Sequence, residues 1–246
     1  MPYRVVTFGN PLNVGTAGSH YVEIAARAKC NSGVSPYCVP NEYICAKLGQ
    51  FLGLPIAPGT VIIAPGSEPK FWYAALDFSQ EGESLPPVIP EDCLRLLPNF
   101  CVGTILFDIL IANGDRTEAN LFLDESTQPP ELRLFDHELA LLGATPGQAE
   151  GRLTGSVVNQ LGINDHCLKS IVTAESLLES EWMQRIDALP DYLIEENCSR
   201  AAEYGMTPEE TEKAITFLKE RRHNLYHLVR THETKFSGPR LRGRRP

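Results

Sequence analysis

Apolar and polar positions follow two different rhythms along this chain. Near the start, Arg4-Val5-Val6-Thr7-Phe8 and Tyr21-Val22-Glu23-Ile24 are β-branched and aromatic runs. Gly9, Asn10, Pro11, Asn13, Gly15 and Gly18 lie between them, so residues 1 to about 30 read as a β-hairpin whose second strand continues toward Lys29. From Pro40 to Leu52 the rhythm changes. Ile44, Leu48, Phe51 and Leu52 fall at i, i+4, i+7 and i+8, the buried stripe of a helix that Gly53 and Pro55 stop. Thr60 to Ala64 and Phe71 to Leu76 read as strands around a Pro65-Gly66 turn. The next loop, Asp77-Phe78-Ser79-Gln80-Glu81-Gly82 followed by Pro86, Pro87 and Pro90, reads as the boundary between a β-rich part (residues 1–80) and a helical part (81–234).

Past Pro90 the chain reads as helical, with one long apolar segment from Cys101 to Ala112. Two short apolar pieces follow, Leu121-Phe122-Leu123 and a second one ending Leu134-Phe135. Gly143 to Gly155 is loose and Gly-rich. Trp182, Tyr192 and Leu193 suggest one or two packed helices. Thr207-Pro208-Glu209-Glu210 is a capping box with Pro at the first helical position, and Ile215, Leu218, Leu225, Leu228 and Val229 give its helix an apolar face to about Thr231. No internal repeat or coiled coil is evident. The class expected is α+β.

Composition narrows this picture only a little. The chain has 246 residues, 43% hydrophobic and 22% charged, an ordinary globular balance. Its net charge of −9 argues against a general nucleic-acid binder. Charge is uneven: residues 235–246 carry Lys235, Arg240, Arg242, Arg244 and Arg245 and no acid, and removing those five charges from −9 leaves −14 for the rest. This stretch reads as a disordered basic tail, either solubilising or in contact with an acidic partner or RNA. The seven cysteines are odd in number and form no Cys-x-x-Cys, which suits reduced, buried thiols in a cytoplasm. Met1-Pro2-Tyr3-Arg4 lacks the apolar core of a signal peptide, and Cys101–Ala112 is too short to span a bilayer.

Chemistry concentrates between Phe107 and His137. Asp115 and Asn120 are five residues apart, and Asp136 ends the second apolar piece, so three short-armed oxygen ligands sit at the ends of hydrophobic elements. Phosphoryl transfer needs such a set: a carboxylate to orient the attacking hydroxyl, and carboxylate or amide oxygens for Mg²⁺. A kinase catalytic loop has this spacing, with its metal-binding Asp on a later strand and turn. Asn-Gly and Gly-Asp are also common turn formers, which is the plainer reading of these positions. Asp108, a charge inside an apolar segment, needs a partner, and Arg116 is the obvious one. A kinase also needs a cation on an early strand for the phosphates. Lys29 is preferred, with Arg27 as the alternative. Glu42, in the first turn of its helix, is placed either to suit the helix dipole or to pair with that lysine. Asp77 stands at the loop that would serve as hinge, where backbone groups meet adenine.

With these residues in view, the sequence resembles the HipA-like kinases, bacterial relatives of the atypical protein and lipid kinases. Asn41-Glu42-Tyr43 through Leu52-Gly53-Leu54-Pro55-Ile56 looks like that family's helix-to-strand segment. Asn113-Gly114-Asp115-Arg116-x-x-x-Asn120 looks like its catalytic loop and Phe135-Asp136-His137 like its metal segment. The resemblance implies a two-lobed protein-kinase-like fold and ATP-dependent phosphorylation of a protein Ser or Thr. It makes Asp115 the base, Arg116 the brace of the loop, Asn120 and Asp136 the Mg²⁺ ligands, and Glu42 the partner of the phosphate-binding lysine. It implies ATP and Mg²⁺ as cofactors and an antitoxin or other regulatory partner. Two positions depart from the pattern: Thr117 stands where the family has His, and Tyr21-Val22-Glu23-Ile24 stands where it has a lysine-bearing strand. A nucleotide-binding pseudokinase, a nucleic-acid-associated regulator led by the basic tail, and a small-molecule kinase are the alternatives.

Overall fold

The hairpin expected at the start forms, but it ends sooner than its sequence suggests. In the computed structural model, which describes residues 3, 5–12, 19–64, 70–79, 85–145, 147–154 and 159–238, β1 (Val5–Leu12) pairs antiparallel with β2 (Ser19–Ile24). Asn13, Gly15 and Gly18 of its turn lie outside the described residues, as do Pro65-Gly66, Gln80-Glu81-Gly82 and residues 239–246. The strand does not run on to Lys29. It breaks at buried Ala25, whose carbonyl accepts the Asp77 N–H at 2.9 Å. β3 (Ala26–Cys30) then belongs to a different sheet, ordered β3-β5-β4, with β4 at Gly59–Ala64 and β5 at Lys70–Leu76. Lys29 therefore does not share a face with Tyr21 and Glu23. A pairing to β5, with Lys29 opposite Tyr73, sets its direction instead.

Helix α1 (Cys38–Leu52) starts two residues before Pro40 and is buried on most of its circumference. Ile44, Leu48 and Leu52 are buried as their spacing requires, whereas Phe51 is 53% exposed and leaves the expected stripe. Gly53 ends the helix at φ 86, a left-handed value that favours glycine. Gly49 earns its place differently. A Cβ there would lie 2.1 Å from Ile56 and 3.1 Å from the Phe107 ring. The helix thus accepts a residue that costs about 1 kcal/mol in propensity, in exchange for a close approach. Glu42 is the fifth residue of α1, so it is not in the first turn, and the helix-dipole account of it fails.

The rest is helical around one apolar core. α2 (Pro90–Leu96) and α3 (Pro98–Leu110) meet at a 119° bend, where Pro98 opens the second helix. From Cys101 to Leu110 every residue of α3 is buried. β6 (Leu121–Asp124) and β7 (Glu131–Leu134) form a two-stranded ladder, and Leu134 bridges to Ile56, tying that ladder to the segment after α1. Then come α4 (Gln148–Arg152), α5 (Ala174–Leu178), α6 (Glu181–Asp187), α7 (Asp191–Ala202) and α8 (Pro208–Thr231). Both halves of the Thr207–Glu210 capping box are made. Trp182 is buried, with Gly103 of α3 beneath it at a distance that would leave a Cβ only 2.5 Å from the indole. Tyr192, expected to pack, is 62% exposed, because the α7 stripe runs through Ile194, Cys198 and Ala201 instead.

The basic tail also begins later than its composition implies. Phe236 is buried, and the Gly238 N–H donates to the Val172 carbonyl at 2.9 Å, so residues 235–238 belong to the packed body. All seven cysteines are free. Among the described residues no single helix is long and apolar enough to cross a membrane.

Candidate active site

A cleft of about 770 Å³, open to solvent, lies between the β3-β5-β4 sheet and the β6–β7 ladder. Its walls are apolar over most of their extent, through Ile56, Ala57, Ala75, Leu76 and Leu134. One end is charged, with Lys29 on β3, Glu42 on α1, and Asp136 and His137 just past β7.

Lys29 is the centre of that charged end. Its Nζ lies 2.7 Å from Asp136 Oδ1, 3.2 Å from Glu42 Oε1 and 3.2 Å from Glu138 Oε2. Burial alone would lower its pKa, but Glu42, Asp136 and Glu138 outweigh that and hold the ammonium above its ordinary value. Glu42 is buried and also meets His137 Nδ1 at 3.5 Å. Burial pushes its carboxyl up, yet the His137 hydrogen bond and the His137 and Lys29 charges bring it down to about 2. Asp136 takes φ 61, a left-handed conformation rare for a side-chain-bearing residue. Such conformations cost of order 1–3 kcal/mol and persist where the surroundings impose them. Here the constraint is visible, since the Phe135 carbonyl on one side is held by Arg116 and the Asp136 carboxylate on the other by Lys29.

The catalytic-loop candidates sit beside this cluster. After α3 the chain turns at Ala112, φ 50, and Asn113 accepts the Asp115 N–H on its Oδ1 at 3.3 Å. Asp115 is half-buried. Asn120 Nδ2 donates to the Asp115 carbonyl at 2.6 Å and to Asp115 Oδ2 at 3.3 Å, so neither bond uses its Oδ1. Arg116 turns inward. It pairs with Asp108 through Nε at 2.9 Å and Nη2 at 3.1 Å, both residues being fully buried. Its Nη1 donates to the carbonyls of Asn120 at 3.0 Å and Phe135 at 2.7 Å. One guanidinium therefore sets the backbone at Asn120 and the backbone leading into Asp136. Burial would raise the Asp108 pKa, but the Arg116 charge and hydrogen bonds from His166 and Arg116 hold it below the usual carboxylate range.

Arg27 and Asp77 face the same cleft but pair with each other. Arg27 Nε is 3.3 Å from Asp77 Oδ1 and its Nη2 donates to Ser79 Oγ at 2.9 Å. The Asp77 carboxylate also accepts from Ser79 N and Oγ, capping its own turn. Of the two cations weighed for the phosphates, Lys29 is thus the one beside Glu42 and Asp136. Among the described residues no group of three or more His, Cys, Asp or Glu is disposed as a metal site. Asn120 and Asp136 offer one amide and one carboxylate.

Three residues here were given no role by the sequence. Glu138 is the third carboxylate on Lys29. Asn41, fully buried, donates to the Glu138 carbonyl at 2.7 Å and accepts the Leu142 N–H at 3.1 Å, stapling α1 to the chain after Asp136. Its one sequence cue was its place in the Asn41-Glu42-Tyr43 run that resembles the family segment. His166 reaches Asp108 from 58 positions away, and no local pattern marks it.

Comparison with known proteins gives the fold its place. No family model and no curated protein matches the chain. Among solved structures it matches a proinflammatory kinase of Helicobacter pylori, CtkA, at 14% identity and a TM-score of 0.59, over 95% of this chain and 97% of that one. It also matches the HipA chain of a Shewanella oneidensis MR-1 toxin–antitoxin complex with HipB and operator DNA, at 14% identity and a TM-score of 0.49, over 95% and 67%. The α+β architecture is thus a kinase fold. It is the fold expected from the HipA-like motifs, shared with CtkA over nearly the full length of both chains.

Proposed function

We propose that this chain is a Mg²⁺/ATP-dependent phosphotransferase acting on a hydroxyl, with a protein Ser or Thr as acceptor. The observation that supports it is the meeting of Lys29, Glu42 and Asp136, from three separate elements, at the charged end of an apolar cleft. Asp115 and Asn120 are tied to the same place through Arg116.

The residues fit ATP and Mg²⁺. The apolar walls suit a base. One ammonium faces three carboxylates, an excess of negative charge that a divalent cation would balance. Asn120 Oδ1 and the Asp136 carboxylate would hold the metal. Lys29 would hold phosphate oxygens, with Glu42 restraining its side chain from the buried side. When bound, Mg²⁺ neutralises charge on the transferring phosphoryl oxygens. Asp115, kept at the loop surface by Asn113 and Asn120, would orient the acceptor hydroxyl and take its proton. A regulatory protein partner of the antitoxin kind belongs to this proposal on the strength of the motif resemblance.

A second reading, a nucleotide-binding regulator without turnover, is favoured by the 2.7 Å Lys29–Asp136 bond, which joins the phosphate lysine directly to a metal ligand. Titration with Mg²⁺ and ATP followed by γ-phosphate transfer separates the two. Asp115→Ala should retain nucleotide binding and lose transfer by roughly 10²–10⁴-fold. Wild-type binding with no transfer to itself or to Ser/Thr protein acceptors favours the regulator, and no binding sinks both.

A further inference from the structure

Asp108 is a hub whose four hydrogen bonds fan out to every candidate catalytic group of the loop. Oδ1 accepts from Asn113 Nδ2 at 3.0 Å and Arg116 Nη2 at 3.1 Å. Oδ2 accepts from Arg116 Nε at 2.9 Å and pairs with His166 Nε2 at 3.0 Å. Asn113 passes the constraint to Asp115 through that residue's N–H, and Arg116 passes it to Asn120 and Phe135 through their carbonyls. The carboxylate that fixes these directions is contacted by three side chains, two of them within the catalytic loop itself.

The third comes from elsewhere. His166 lies in the segment between α4 and α5 and is buried. The Leu168 N–H donates to its Nδ1 at 3.2 Å, so Nδ1 is the acceptor nitrogen. Burial lowers the His166 pKa, which suits a neutral ring whose Nε2–H is aimed at Asp108. The next residue adds a second tie, since the Cys167 N–H donates to the Arg116 carbonyl at 2.8 Å. The loop carries Thr117 beside this arrangement, so its own sequence supplies no imidazole.

We propose that His166 is a positioning residue for the candidate active site, holding Asp108 in the one orientation from which Asn113 and Arg116 aim Asp115, Asn120 and Asp136. This inference deepens the phosphotransfer reading and names a residue that touches neither nucleotide nor acceptor. A carboxylate with an unfilled lone pair in a dry site turns to find another donor, and each turn moves Arg116. Groups placed one step behind metal ligands typically change metal affinity or activity by 10–100-fold when removed.

The test is hydrogen–deuterium exchange read peptide by peptide on the full chain, with wild type, His166→Ala and His166→Gln. It is paired with the Mg²⁺ concentration that half-saturates ADP binding. In His166→Ala, exchange should rise roughly tenfold in 113–120 and 134–138 while α1 and α8 stay protected, and the Mg²⁺ requirement should rise roughly tenfold. The Gln amide can donate to Asp108 and should restore both. Unchanged exchange in those two segments overturns the proposal. So does a His166→Gln chain as loosened as His166→Ala, since that would make the imidazole a packing element. If the Ala variant fails to fold, the Gln variant alone decides: native exchange supports the donor role, and loosened loops overturn it. These readouts need no turnover. A wild type that binds Mg²⁺-nucleotide without transferring phosphate would therefore count against the phosphotransfer reading, and the exchange pattern would still decide the role of His166.

Discussion

Two clusters of charge hold the candidate site, one lining the cleft and one enclosed behind it, and they are built on opposite plans. The side chains of Asp108, Arg116 and His166 are fully enclosed, and every polar atom that the three present has a hydrogen-bond partner. Lys29, Asp136 and Glu138 keep about a third of their side-chain surface in water (36%, 31% and 34%), and only Glu42 is truly buried. The first cluster is fixed because its alternatives are expensive: a charge turned away from its partner there has no water to meet. The second is held by Coulomb attraction with solvent at hand, so a phosphate or a cation can replace a carboxylate at modest cost. The difference separates scaffold from site. One cluster sets where the loop is, and the other is free to exchange partners with a ligand.

The largest expected effect falls on the enclosed cluster. Arg116→Ala leaves Asp108 buried without its counter-charge, and removing one partner of such a pair costs about 3–5 kcal/mol. Urea denaturation should show that loss, with γ-phosphate transfer lost alongside it. A variant of near-native stability would mean that the two clusters do not differ as described.

Lys29→Ala should behave in the contrary way. Partly exposed ion pairs contribute on the order of 0–1 kcal/mol, so the denaturation midpoint should move little. Nucleotide affinity should drop by roughly 10–100-fold, the worth of one charge-assisted contact to phosphate. Calorimetry reads both. A Lys29→Ala chain that binds nucleotide as wild type does would remove the lysine from the site.

Acid should expose a smaller effect. The Glu42 carboxyl is held at about 2 against an ordinary value of 4.5. A depressed carboxylate contributes stability that is whole above its unfolded pKa and is lost as pH falls through the folded one. The window is therefore pH 4.5 down to 2. Asp108 is depressed too and acts in the same direction. Melting temperature followed across that window should fall in wild type and fall less in Glu42→Gln. Parallel slopes would mean that Glu42 is not the group titrating.

What could be read from the amino-acid order alone was whatever depends on neighbours a few positions apart. The α1 rhythm, the Thr207–Glu210 capping box and the apolar face of α8 are local patterns, and each has an element under it. The need of Asp108 for a partner was also legible, because a charge in an apolar helix is costly and Arg116 is eight residues away. The motifs around Asp115 and Asp136 pointed to a kinase fold, which CtkA shares. Other features had no local signature. The break at Ala25 depends on a hydrogen bond from Asp77, so only the pairing of β3 with β5 decided where Lys29 would aim. Phe51 and Tyr192 look apolar enough to pack, but which side of a helix is covered depends on what lies across from it. Glu138, Asn41 and His166 act through partners 58 to 109 positions distant, on carbonyls and carboxylates that only chain folding brings near. Short-range periodicity selects the elements because it is set by backbone geometry. The chemistry of the cleft is set by which elements share a dielectric boundary, and that is a property of the packed molecule.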